Sequence, residues 1–126
     1  MHPAACLGGT YNSIVPIMFT SGSDDDMVKP KIPQGKYDKT TGVPKVFAEK
    51  TGVGHSWIAT DAEQWSTYSI YFFNCYLLKD ETSCEAIYGS STSDPCSLCN
   101  CETCTMTVCE TDENPTVSFM PNRSFL

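Results

Sequence analysis

The longest regular pattern in the chain runs over residues 65–78, WSTYSIYFFNCYLL. Read with a period of two, Tyr68, Ile70, Phe72, Tyr76 and Leu78 share one face, and Thr67, Ser69, Tyr71, Phe73, Cys75 and Leu77 share the other. The first half alternates polar and apolar and the second is apolar on both faces, which predicts a strand covered on both sides. Ahead of it, residues 45–50 read as a strand, 51–54 as a turn and 55–60 as the next strand. A β-prone run at 10–19 is broken by Pro16, which puts it at a sheet edge or a bulge. Residues 21–26, Ser-Gly-Ser-Asp-Asp-Asp, read as a solvated turn, because adjacent aspartates lack the spaced ligands and sharp turn of a calcium loop. Pro30, Pro33, Gly35, Gly42 and Pro44 predict short extended pieces and no helix over 29–44. Residues 80–115 form a cysteine-rich, loop-like segment with one strand at 103–108, and 116–120 read as a final strand. No stretch carries a helical period of adequate length, and no solenoid or propeller repeat is visible. The prediction is an all-β fold, an antiparallel barrel or a sandwich with a disulfide-rich C-terminal region, in a single domain over 1–126.

Composition narrows the partners. With 126 residues, 40% of them hydrophobic, the chain can bury about two-thirds of its unfolded surface, enough for one core. Acidic residues outnumber basic ones by 15 to 8, for a net charge of −7. Such a surface repels phosphate backbones and anionic membranes, so no nucleic-acid partner is expected. The longest apolar stretch, residues 70–78, is too short for a membrane span, which takes about 20 residues as a helix.

Cysteine changes the picture most. Eight are present, at Cys6, Cys75, Cys84, Cys96, Cys99, Cys101, Cys104 and Cys109, four of them inside CSLCNCETC. Four thiolates can surround zinc, and sulfur also suits Cu(I). Here Asn100 alone separates the two C-x2-C pairs, and His2 and His55 are the only imidazoles. Wrapping one ion with all four sulfurs would strain the loop, so no metal or cofactor is expected. Disulfides are predicted instead, with the cluster reaching partners such as Cys6, Cys75, Cys84 or Cys109, in an oxidising compartment. Asn122-Arg-Ser124 is a glycosylation acceptor triplet at Asn122. Residues 1–6 have neither a basic n-region nor an apolar h-region, which leaves a signal peptide already removed, a fragment or a cytosolic protein, and the cysteines favour the first two.

The stretch Val46-Phe-Ala-Glu-Lys, then Ser56-Trp-Ile-Ala-Thr-Asp61, then Tyr68-Ser-Ile-Tyr-Phe-Phe-Asn-Cys75, resembles the later half of a lipocalin. There a strand ends in a Thr-Asp pair, matched by Thr60-Asp61, and an apolar, Tyr-rich strand follows. The resemblance covers about residues 45–78. Ala62 stands where the family usually has Tyr, and Gly9-Thr-Tyr11 only echoes its opening Gly-x-Trp. It implies an antiparallel barrel around a small apolar ligand, with Trp57, Tyr68, Ile70 and Phe72 lining the pocket. The same aromatics are also what an ordinary filled core would use. Further on, Cys84-Glu-Ala-Ile-Tyr-Gly89 and Asp94-Pro-Cys-Ser-Leu-Cys-Asn-Cys101 resemble part of a von Willebrand factor type C module, an extracellular unit that binds protein partners. The adjacent Cys-Cys pair of those modules is missing.

Support for an enzyme is thin at this level. His55 has Ser56 and Asp61 close by in sequence, but neighbours on a strand point to opposite faces and cannot pair readily. Asp61 and Glu63 could form a carboxylate pair. The leading expectation is a secreted, disulfide-stabilised β protein that carries a small hydrophobic ligand. The alternative is an extracellular structural or protein-interaction module using its cysteine-rich segment, and a metal-thiolate protein comes third.

Overall fold

A computed structural model describes residues 13–56, 62–93, 96–101 and 106–114, with 62–65 as backbone alone. Trp57, Cys6, Cys104, Asn122, the Thr60-Asp61 pair and the strand expected at 116–120 lie outside them. The elements follow in the order β1 (Ile17–Gly22), α1 (Lys31–Lys39), β2 (Lys45–Lys50), α2 (Ala62–Phe73), α3 (Glu81–Tyr88) and β3 (Met106–Asp112). Between α2 and α3 the chain widens into a π-helical turn at Asn74–Leu78.

The strands form one open sheet in the order β1-β2-β3, with β1 parallel to β2 and β3 antiparallel to it. Helices cover both faces. This overturns the all-β expectation: the fold is a mixed α/β layer structure, and the described residues form neither a barrel nor a sandwich. A parallel pair needs a crossover, and α1 supplies it between β1 and β2.

The pattern over residues 65–78 gives a helix because its apolar residues also satisfy a helical period. Tyr68, Phe72 and Cys75 are buried at spacings of four and three, on one face of α2 and the turn that continues it. Tyr68 and Phe72 meet Val46, Ala48, Ile87, Leu98 and Cys101 in the larger core cluster. On the opposite face of the sheet, Tyr37 of α1 packs with Phe19 and Phe47 in a smaller cluster.

Helix α1 forms despite its proline and glycine. Pro30 is its N-cap and Pro33 lies in its first turn, where backbone N–H groups have no helical partner and a missing donor costs little. At the other end the Lys45 ammonium, almost buried, donates to the carbonyls of Tyr37 (2.8 Å) and Thr40 (2.9 Å). A cation on the last carbonyls complements the helix dipole.

Register in β3 depends on a bulge. Ala48 pairs with Cys109 and Glu49 with Val108, but Lys50 pairs with Met106. Thr107 is the extra residue, so Met106 and Cys109 both reach the larger core while Val108 faces α1.

The segment 80–115 is more ordered than its composition predicts. Asp80 caps α3 by accepting from the Ser83 N–H at 3.1 Å. The stretch 96–101 then docks on that helix: Leu98 N–H donates to the Ala86 carbonyl (2.9 Å) and Ser97 Oγ to the Glu85 carbonyl (3.0 Å). Leu98 is fully buried. Disulfides join Cys75 to Cys84, Cys96 to Cys101 and Cys99 to Cys109. The first ties the π-helical turn to α3, and the last ties the docked loop to β3.

Candidate functional site

Both parallel strands end at the same edge of the sheet, and the loops that leave them meet there. After β1 comes the loop 23–28, Ser-Asp-Asp-Asp-Met-Val, and after β2 the loop 51–56, Thr-Gly-Val-Gly-His-Ser. Ser23 N–H donates to the Lys50 carbonyl (2.9 Å) and Asp24 N–H to the Val53 carbonyl (3.0 Å). Gly22 lies against Val53 so closely that a Cβ there would overlap its carbonyl. In open α/β sheets the crevice outside the carboxyl ends of parallel strands is where ligands bind.

In this edge Asp25 turns inward while Asp24 and Asp26 stay exposed. At 4% exposure Asp25 is a buried carboxylate, which overturns the expectation that the whole run is a solvated turn. Its Oδ1 accepts from the backbone N–H groups of Met27 (3.0 Å) and Val28 (2.8 Å). Its Oδ2 lies 3.0 Å from His55 Nδ1. Burial by itself would raise this carboxyl. The Val28 N–H, the His55 imidazole and the Met27 N–H outweigh it and hold the group below the usual carboxylate range. An ionised Asp25 can only accept, so Nδ1 carries the proton of this contact. The imidazole itself is partly exposed. A buried carboxylate orienting a solvent-reachable imidazole is the arrangement that prepares a general base.

The sequence reading missed this pair by searching near His55, at Ser56 and Asp61, when the partner lies thirty residues earlier. The signal available was positional: a β-prone run leading into Asp25, and the strand 45–50 leading into Gly52-Val-Gly-His55. His55 and Ser56 occupy a turn, where a strand had been expected.

The expected pocket residues separate. Tyr68 and Phe72 are core, with the Tyr68 hydroxyl donating to the Cys96 carbonyl at 3.1 Å. Ile70, on the same helix, is 56% exposed. The barrel that implied a pocket between these residues is replaced by an open sheet. Of the cysteine cluster, Cys96, Cys99 and Cys101 are half-cystines, so their sulfurs are committed to each other and to Cys109. Cys99–Cys109 joins the cluster to one of the expected partners, whereas Cys96–Cys101 closes within it. These bridges are compatible with an extracellular protein. None of the described helices is long and apolar enough to cross a membrane.

Compared with protein-family models, with curated proteins and with solved structures, the chain matches none.

Proposed function

We propose that Asp25 and His55 are the acid–base half of a hydrolase site that cleaves an ester-type acyl bond. His55 Nε2 takes the proton of an attacking hydroxyl and returns it to the leaving group, while Asp25 holds the imidazole in the required tautomer and stabilises its charged form. One observation carries the reading: a buried carboxylate held by two backbone N–H groups accepts from His55 Nδ1 at 3.0 Å, at the carboxyl ends of two parallel strands. An aspartate and then a histidine, each on a loop after a strand of an α/β sheet, is also the order of these two members in α/β-hydrolase triads. The three disulfides favour secretion as the setting.

The test is hydrolysis of p-nitrophenyl acetate by the intact natural protein, with a fluorophosphonate to label the nucleophile. Asp25→Asn and His55→Ala should each lower kcat by about a thousandfold or more and leave KM nearly unchanged. Both variants turning over at the parent rate would remove the proposal.

A further inference from the structure

Asp25 and His55 sit on loops from different strands, so their hydrogen bond is only as well aligned as those loops are to each other. Two backbone contacts set that alignment, from Ser23 N–H to the Lys50 carbonyl and from Asp24 N–H to the Val53 carbonyl. A third depends on a side chain. Ser23 Oγ accepts from the Gly52 N–H at 2.7 Å and donates to Asp24 Oδ1 at 3.1 Å. Gly52 has a left-handed backbone, with φ of 74°, a conformation that glycine takes without steric cost. The serine hydroxyl thus holds the turn that leads, three residues on, to His55, and it does so two residues before Asp25.

We infer that Ser23 is a positioning residue for the Asp25–His55 pair. Its hydroxyl joins the loop after β1 to the loop after β2 and so sets how the carboxylate meets the imidazole; this rests on the acid–base reading of that pair. The contact is solvent-exposed, so water can satisfy the Gly52 N–H when the hydroxyl is removed. Loss of Ser23 then costs little stability, because an exposed donor is not stranded. Alignment suffers more, since catalysis falls steeply with small misplacements of a reacting group.

The experiment follows the His55 Nδ1 proton by 15N-resolved NMR in the 126-residue chain, with His55→Gln separating its signal from that of His2. Asp25→Asn should abolish the slowly exchanging proton. Ser23→Ala should speed its exchange about tenfold while the melting temperature hardly moves, and Ser23→Thr, which keeps a hydroxyl, should restore it. In the ester assay Ser23→Ala should lower kcat about tenfold with KM unchanged. Ser23→Cys, nearly isosteric with a poor acceptor, gives the same reading should the alanine variant fold badly. Parent-like exchange in Ser23→Ala or Ser23→Cys, with the proton lost in Asp25→Asn, overturns the positioning role and leaves the pair standing. A proton that survives Asp25→Asn overturns the pair itself.

Discussion

Burial acts in the same direction on two carboxyls near the ends of neighbouring strands, but only one of them has the hydrogen bonds to outweigh it. Asp25 is held below its ordinary range because, against burial, the Val28 N–H, His55 and the Met27 N–H favour its anion. Glu49, one residue from the end of β2 and 7% exposed, is pushed up by burial. The signs therefore differ. A depressed folded pKa contributes stability above the unfolded value, and that contribution is lost as pH falls through the folded one. Asp25→Asn should lower the unfolding free energy by about 1.5–3 kcal/mol at pH 7, and the gap to the parent should close in urea titrations taken below pH ~4. A raised folded pKa stabilises at low pH, and the stability is lost as pH rises through the folded value. Glu49→Gln should therefore raise the urea midpoint at pH 7 and leave it unchanged well below pH ~4. A lower midpoint at pH 7 would mean that the Glu49 anion is satisfied. Asp25 illustrates the reach of sequence at this scale: its residue type was visible, but its direction was not. Which of three adjacent aspartates turns inward depends on the Asx-type turn that Met27 and Val28 complete.

At the scale of elements, β2 stands where a strand was expected, because Lys45–Lys50 is short, carries the β-formers Val46 and Phe47 and is followed by a Gly-containing turn. Residues 65–78 were misread because they satisfy both periods at once. Aromatic and β-branched residues favour a strand locally, but packing of Tyr68 and Phe72 on Val46 and Ile87 rewards the helix. A helix-start signal was present in Asp61-Ala-Glu-Gln64, an N-cap type followed three residues later by Gln. Prolines break a helix only in its interior, and Pro30 and Pro33 of α1 both fall where a helix tolerates them. Between α2 and α3 the Cys75–Cys84 bridge spans the π-helical turn and Lys79, which has a left-handed φ of 58°. Replacing both cysteines by serine should cost about 2–3 kcal/mol. The increase in amide exchange should stay within residues 74–84, because the helix faces below still pack. Exchange that spreads to β2 would show instead that this bridge supports the whole core.

For the whole molecule, the three bridges among the described residues fall in the half of the chain that carries seven of the eight cysteines. Unfolding in guanidinium with an alkylating agent but no reductant should leave Cys75, Cys84, Cys96, Cys99, Cys101 and Cys109 unlabelled. Adding reductant should label all six and lower the melting temperature. Labelling of any of them without reductant would contradict the bridges. Cysteine number and spacing were local facts, so the sequence alone was enough to point to cross-links. Pairing was not, since half-cystines meet only after α3, the loop at 96–101 and β3 have packed. The all-β class failed for the same reason: periodicity specifies which residues want burial, and the available neighbours decide whether a helix or a strand delivers them. The Asp25–His55 pair belongs wholly to tertiary structure. Its members are separated by a full crossover through α1, and the parallel pairing of β1 with β2 brings their loops to one edge.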